Sequence, residues 1–313
     1  MIDITNFEKA ASDFEGSERK FAIFYNNEVY MIKEPDPVRE KNNELHYMNN
    51  TYSEYIGCKI FETLDIPVQE TFLAKYTRPD GKIETVIACK DFREKGEQLY
   101  EADKFAKSLI DSSNITKPDL EDIQHIFYSV QPKLNENAEQ RFWDTFVIDG
   151  LIGNPDRHLG NWGFLSKDRI NFTLAPIYDC GSSLGALVSD KVIQKCLEKP
   201  GIMSNVECNL STRFLINGKR VTYREVFNNP PEKLKKSMEE IVPKIDLTKI
   251  AKIINSTPDI NESRKKYIFD SLKMRYEQIL LQSLKKLRKT ELTQKVTEKS
   301  INKQKLDNEK SKE

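Results

Sequence analysis

Two hydrophobic periods alternate along the first ninety or so residues. Phe21-Ala-Ile-Phe-Tyr25 and Glu28-Val-Tyr-Met-Ile-Lys33 are β-rich runs separated by Asn26-Asn27, a pair that tolerates positive φ. They predict a hairpin whose second strand ends on Lys33. From Tyr52 the period lengthens. Tyr52, Tyr55, Ile56, Ile60 and Leu64 fall on one face of a helix that Ile66-Pro67 closes. Val68 to Tyr76 and Lys82 to Lys90, joined by Arg78-Pro-Asp-Gly81, predict a second hairpin with Pro and Gly at tight-turn positions. The order is strand, strand, helix, strand, strand.

Between Gly96 and Leu134 the spacing predicts helix, with Thr116 capping before Pro118 and Ile123, Ile126, Phe127 and Val130 on the buried side. Asn137 and Gln140 read as an N-cap and its reciprocating partner. They open a buried helix carrying Phe142, Trp143, Phe146, Val147, Gly150 and Leu151, which Gly153-Asn154-Pro155 breaks. Trp162 to Leu165, the turn Ser166-Lys-Asp168 and Ile170 to Leu174 predict a hairpin leading into Ala175-Pro-Ile-Tyr178. Gly181 to Gly185 reads as a flexible loop, and residues 199–218 give no legible pattern. Three helices follow, the last from about Ser263 to Leu292 with Ile268, Leu272, Tyr276, Ile279 and Leu287 toward a core. Beyond Thr293 the chain is almost wholly polar and rich in lysine, a composition that predicts a disordered or frayed tail.

This succession predicts an α+β fold in two lobes. A β-rich lobe with one key helix spans 1–92, a larger helical lobe 93–292, and a charged tail 293–313. A chain of 313 residues has ample material for both cores. Lys and Arg balance Asp and Glu at 49 each, so net charge gives no reason to expect direct nucleic-acid binding. Charged residues at 31% and a mean hydropathy of −0.62 predict a soluble protein. The N-terminus lacks a basic leader with an apolar run, and no stretch approaches the roughly 18 apolar residues of a membrane span. The expectation is a cytoplasmic protein without a membrane partner. Cys58, Cys89, Cys180, Cys196 and Cys208 are odd in number and lack paired metal spacing, which predicts reduced thiols.

The chemistry concentrates in Asn154-Pro-Asp-Arg-His-Leu-Gly-Asn161, where Asp156 stands five positions before Asn161. That is the spacing of a kinase catalytic loop: the Asp accepts the proton of the attacking hydroxyl, and the Asn holds a magnesium ion on the nucleotide phosphates. Alone, an Asp and Asn pair is more often turn chemistry. Asp179, in Ile177-Tyr-Asp-Cys-Gly181 after the predicted hairpin, occupies the place of the second metal carboxylate. Lys33 reads as the phosphate-binding lysine, with Glu54 on the first helix as its partner; the plain alternative is a strand-end lysine reaching solvent. The segment around Lys90 and Phe92 falls at the crossover between lobes, where backbone groups would meet an adenine edge. Gly16, Ser17 and Lys20 belong to the one candidate for a phosphate-covering loop, a surface turn being the competing reading. His158 is expected to brace the loop, Arg157 to steady loop or phosphate, and Cys180 to pack.

On Tyr30-Met-Ile-Lys33-Glu-Pro, Ser53-Glu54-Tyr55, Val86 to Phe92, Gly153 to Phe164 and Ala175 to Ser182, the chain resembles the HipA-like kinases, and among them their short, stand-alone CtkA-like members. The resemblance covers roughly residues 16 to 290. It implies a bilobal protein-kinase-like fold, ATP and Mg2+ as cofactors, phosphorylation of protein Ser or Thr hydroxyls, and autophosphorylation. Carried over, Asp156 is the base, Asn161 and Asp179 the metal ligands, and Lys33 the phosphate lysine. HipA proper adds an N-terminal region, a Ser-containing Gly-rich loop that it phosphorylates, and a DNA-binding antitoxin partner; Gly16-Ser17 matches that loop loosely. A protein substrate is thus the expected partner. Phosphatidylinositol kinases carry a similar Asn-x-Asp-Arg-His-x-x-Asn block, so a lipid or small-molecule acceptor is the alternative, and a binding-only pseudokinase a further one.

Overall fold

A computed structural model of the chain describes residues 1–11, 20–38, 48–109, 117–134, 137–290 and 292–293. Its first layer is a six-stranded sheet made of β1 (Ile2–Asp3), β2 (Lys9–Ala10), β3 (Lys20–Tyr25), β4 (Glu28–Lys33), β5 (Thr71–Thr77) and β6 (Ile83–Lys90). Their order is β1-β5-β6-β4-β3-β2. The two predicted hairpins form its centre. Asn26 and Asn27 turn the first with φ of 50° and 64°, the twist that matches a right-handed ribbon. The two-residue strands β1 and β2 flank them and are too short to show a period in the sequence.

Alternation splits the sheet into two faces. Ile23, Tyr30, Ile32, Ala74, Val86 and Ala88 pack with Ile4 on one. Leu73, Ile87, Cys89 and Met31 pack on the other against Tyr52 and Tyr55 of helix α1 (Asn50–Glu62). Lys33, two residues after Met31 on β4, shares that second face.

The rest of the chain is mainly helical. It comprises β7 (Gln98–Glu101), α2 (Ala102–Leu109), α3 (Leu120–Val130), α4 (Ala138–Ile152), β8 (Gly163–Ser166), β9 (Thr173–Leu174), α5 (Asp190–Glu198), α6 (Pro200–Glu207), β10 (Ser211–Ile216), β11 (Lys219–Thr222), α7 (Tyr223–Asn228), α8 (Glu232–Ile241), α9 (Leu247–Ser256) and α10 (Glu262–Arg275). Helix α10 runs on through a π-helical stretch, Tyr276–Leu281, and helix over 282–290.

Several expectations need correction. Residues 98–101 are not helical: β7 pairs antiparallel with β8, which the four-residue length hides from helical periodicity. Helix α3 is capped by Asp119 in a capping box with Asp122, not by Thr116, which lies outside the described residues. Asn137 caps α4 by accepting from Gln140 N at 3.0 Å, but the Gln140 amide reaches Asp144 and Ser237 instead of returning to the cap. The illegible stretch holds α6 and the β10–β11 hairpin. Among the described residues four α-helices follow it, not three. The tail from 294 onward lies outside the described residues.

Helix α4 is the spine of this part. Trp143, Phe146 and Leu151 are buried in one cluster with Phe214, Tyr223 and Phe227. Its C-terminus is fixed by Arg275, wholly buried, whose Nε donates to the Leu151 carbonyl at 2.7 Å while its guanidinium pairs with Glu207. The chain then leaves α4 through Gly153 at φ +65°, where an added Cβ would stand 2.8 Å from Arg275 Cζ. Only a glycine meets both demands, and the turn delivers the chain directly into residues 154–161.

Candidate active site

The loop after Gly153 is tied down from within. Asn154, fully buried, donates from Nδ2 to Asp149 Oδ1 at 3.1 Å and accepts from Asp156 N at 3.1 Å. Asn161 Nδ2 donates to the Asp156 carbonyl at 2.9 Å, which holds the two ends of the five-residue interval together. His158 accepts from Gly160 N through Nδ1 at 3.1 Å, so it braces the loop as expected. Tyr178 and Tyr223 donate their hydroxyls to the Gly160 and Asn154 carbonyls at 3.0 and 2.7 Å. Burial raises both tyrosine pKa values, so they remain neutral donors.

Arg157 links this loop to the next. Its Nε and Nη2 donate to the two oxygens of Asp149 at 2.9 and 3.1 Å. Its Nη1 donates both to the Asn161 carbonyl at 2.9 Å and to the Tyr178 carbonyl. Burial opposes the charge, yet the Asp149 carboxylate outweighs it and holds the guanidinium pKa above its ordinary value. Of the two roles considered for Arg157, this geometry gives it the loop. One fork thereby brings the segments bearing Asn161 and Asp179 side by side.

Asp179 adopts φ +58°, a strained conformation for a non-glycine residue and one that clusters at functional sites. Its Oδ1 stands 3.4 Å from Lys33 Nζ. The Lys33 charge, helped by Arg157, holds the carboxyl below its usual range despite burial. Glu54, only 1% exposed, lies on α1 with Oε1 3.9 Å from Cys58 Sγ and Oε2 3.1 Å from where a Gly181 Cβ would stand. Its carboxylate therefore faces the turn after Asp179 and not solvent. Gly181 leaves room for it.

Asp156 presents a side chain 31% exposed. Ser182 Oγ donates to its Oδ2 at 3.3 Å, and Arg213 of β10 binds its Oδ1. Neither neighbour was singled out from sequence. Arg213 sits in the stretch that read as illegible, although Asn217-Gly218 between β-prone runs was a usable hairpin signal; the pair has φ of 52° and 71°.

The remaining candidates divide. Lys20 is the register partner of Lys33 in the β3–β4 ladder, so the two side chains leave the sheet on the same side. Phe92 packs on Tyr178 with ring centroids 5.8 Å apart, next to Asp179. Lys90 turns outward: its ammonium is 3.0 Å from Glu28, which raises its pKa, and its backbone N–H donates to the Glu70 carbonyl at 2.9 Å. Gly16 and Ser17 lie outside the described residues.

Asn161 donates from Nδ2 to the Asp156 carbonyl, which leaves its side-chain oxygen as an acceptor, and Asp179 supplies a carboxylate on the segment that Arg157 ties to it. Hard oxygen donors of this kind suit Mg2+. Among the described residues no group of three His, Cys, Asp or Glu that could hold a metal ion is found.

The description HipA-like C-terminal domain matches residues 12–246, the greater part of the chain. The chain belongs to the HipA-like family. A relative, the serine/threonine-protein kinase CtkA of Helicobacter pylori (strain J99 / ATCC 700824), is 34% identical over 269 residues, 83% of this chain and 80% of that one. The crystal structure of a Helicobacter pylori proinflammatory kinase CtkA superposes with a TM-score of 0.81 at 31% identity, covering 92% of this chain and 98% of it. HipA of Shewanella oneidensis MR-1, solved with HipB and operator DNA, shares the fold at TM-score 0.55 and 16% identity, over 91% of this chain and 69% of its own. The HipA-like match takes in strands β3 to β6 of the sheet and the 154–161 loop. No helix among the described residues is long and apolar enough to cross a membrane.

Proposed function

We propose that this HipA-like protein is a serine/threonine protein kinase that uses ATP with Mg2+ and phosphorylates itself as well as other proteins. The observation that carries the reading is the Arg157 fork, which ties the Asn161 and Tyr178 carbonyls together and so supports Asn161 and Asp179 as donors to one metal. When bound, Mg2+ would neutralise phosphate charge and orient the phosphoryl group for transfer. Asn161 and Asp179 would hold the metal. Lys33 would reach the α- and β-phosphates from the α1 face of the sheet, with the buried Glu54 on the same face to steady it. Lys20, on the same side as Lys33, would reach a phosphate, and Phe92 with its neighbours would meet the adenine. We place the lobe boundary after residue 92, between β6 and β7. Asp156 accepts the proton of a protein Ser or Thr hydroxyl.

The test is transfer of labelled phosphate from ATP by the full chain, with and without Mg2+, to itself and to a panel of protein and lipid acceptors. Phosphoserine or phosphothreonine in protein, lost in Asp156→Asn, supports the reading. Transfer to lipid alone, or turnover independent of Asp156, would overturn it.

A further inference from the structure

The catalytic base carries a cation from a distant element. Arg213, 57 residues beyond Asp156 on β10, donates from Nε to Asp156 Oδ1 at 2.7 Å, and its Nη2 donates to the same oxygen. Ser182 occupies the other oxygen at 3.3 Å. A general base must present an oxygen to the hydroxyl it deprotonates, so one of these neighbours has to yield when an acceptor arrives.

The strand under Arg213 is poorly placed to withdraw. Thr212 and Phe214, on either side of it, are each 5% exposed. The Phe214 ring lies 6.0, 6.3 and 5.6 Å from those of Phe142, Trp143 and Phe146. Leu215 N donates to the Pro118 carbonyl at 2.9 Å, and Gly218 N to Asp119 at 2.7 Å. The hairpin is a fixed rail. The Arg213 side chain, 44% exposed, is the part able to turn.

Among the described residues, the other basic side chains named for the site have partners. Arg157 is buried on Asp149 and two carbonyls, and Lys33 faces Asp179. His158 holds Gly160 through Nδ1. A phosphoryl group in transfer must lie within about one hydrogen-bond length of an acceptor oxygen that is itself within about 3 Å of Asp156. A guanidinium already on Asp156 can reach that group by side-chain rotation alone. Its planar fork suits two phosphoryl oxygens.

We propose that Arg213 is a catalytic residue of the phosphoryl transfer, an arginine finger supplied by the chain's own β10–β11 hairpin. It rests on the kinase reading above. In the step, Asp156 takes the proton of the acceptor hydroxyl while the acceptor oxygen bonds to the γ-phosphorus. The bond from that phosphorus to the β–γ bridging oxygen breaks, and its electron pair leaves with ADP. Arg213 shifts from Asp156 Oδ1 to the equatorial phosphoryl oxygens, stabilising them and clearing the base in one movement.

The experiment compares wild type with Arg213→Ala and Arg213→Lys in the full chain. Arg213→Ala is expected to lower kcat about 10²–10³-fold with the KM for ATP little changed, and added guanidinium should restore part of the loss. Arg213→Lys, keeping charge without the fork, should fall between. Binding gives an independent readout. Calorimetry should show equal Mg-ADP affinity in wild type and Arg213→Ala, but the extra affinity gained on adding aluminium fluoride should be lost in the variant. Wild-type kcat with wild-type aluminium fluoride affinity in a folded Arg213→Ala would overturn the proposal. So would faster turnover, which would make the pair a brake, or an effect confined to the acceptor KM. If wild type transfers phosphate to no acceptor, the kinase reading fails, while the aluminium fluoride arm still decides the role of Arg213.

Discussion

Lys33 and Asp179 meet 3.4 Å apart although 146 residues separate them, and this contact joins the sheet to the loop that follows the catalytic segment. The lysine holds the Asp179 carboxyl below its usual pKa. A carboxylate whose folded pKa lies below its unfolded value stabilises the fold above the unfolded pKa, near 3.9, and that contribution fades as pH falls through the folded one. Lys33→Met should therefore be less stable than wild type at pH 7, with the two urea midpoints converging in strongly acidic solution. A difference independent of pH between 7 and 3 would mean that Lys33 contributes by packing and not by charge.

On the proposed assignment, Asp179→Ala removes a hard oxygen donor that would hold Mg2+. Mg-ATP affinity should fall together with turnover, whereas ATP binding without Mg2+ should change little. Unchanged Mg-ATP affinity in calorimetry would put the metal elsewhere.

Asp156→Asn should behave differently, because it removes a proton acceptor while keeping the shape that Ser182 and Arg213 contact. Turnover should drop about 10²–10⁴-fold with Mg-ATP affinity within a few-fold of wild type. Comparable turnover in folded Asp156→Asn would remove Asp156 from the role of base.

Much of this architecture was legible wherever periodicity runs for several residues. The hairpins ending on Lys33 and Lys90, the buried face of α4 and the Gly153 breaker all follow from local pattern, and so do Asp156, Asn161 and Asp179 from spacing. What escaped was set by tertiary contact. β7 has four residues and exists because β8 lies beside it. Thr116 and Asp119 are both plausible caps ahead of the same apolar face, and only the observed start of α3 at Leu120 decides between them. Arg213 has no local signature at all, since its meaning comes from Phe214 anchoring the strand on the α4 rings and aiming the neighbouring side chain at Asp156. Lys90 reads as part of the crossover by position, and its side chain pairs with Glu28 and Glu70.

Gly153→Ala tests the turn into the loop. A residue with a Cβ at φ +65° costs roughly 1–2 kcal/mol from backbone strain alone. The Arg275 guanidinium, 2.8 Å from the new carbon, is held by Glu207 and Leu151 and has little room to retreat. The loss in urea unfolding should exceed the backbone term, and turnover should fall with it because the loop is displaced. A stability change under about 0.5 kcal/mol, the range of ordinary surface substitutions, would show the turn to be more accommodating.

Asp149→Ala addresses the buried pair that orders the site. The Asp149 and Arg157 side chains are 1% and 7% exposed, so removing the carboxylate leaves a guanidinium charge buried with only carbonyls and a thiol for partners. Breaking one side of such a pair typically costs about 3–5 kcal/mol, which is a large fraction of the stability of an ordinary domain. Asp149→Asn keeps one acceptor oxygen and the shape, so its cost should be smaller. In both variants Arg157 loses the anchor that aims its Nη1 at the Asn161 and Tyr178 carbonyls, so Mg-ATP affinity should weaken even where the protein stays folded. Urea unfolding combined with calorimetry on Asp149→Asn separates the two effects. Full metal-nucleotide affinity in a measurably destabilised Asp149→Asn would show that Arg157 supports the fold without positioning the metal donors.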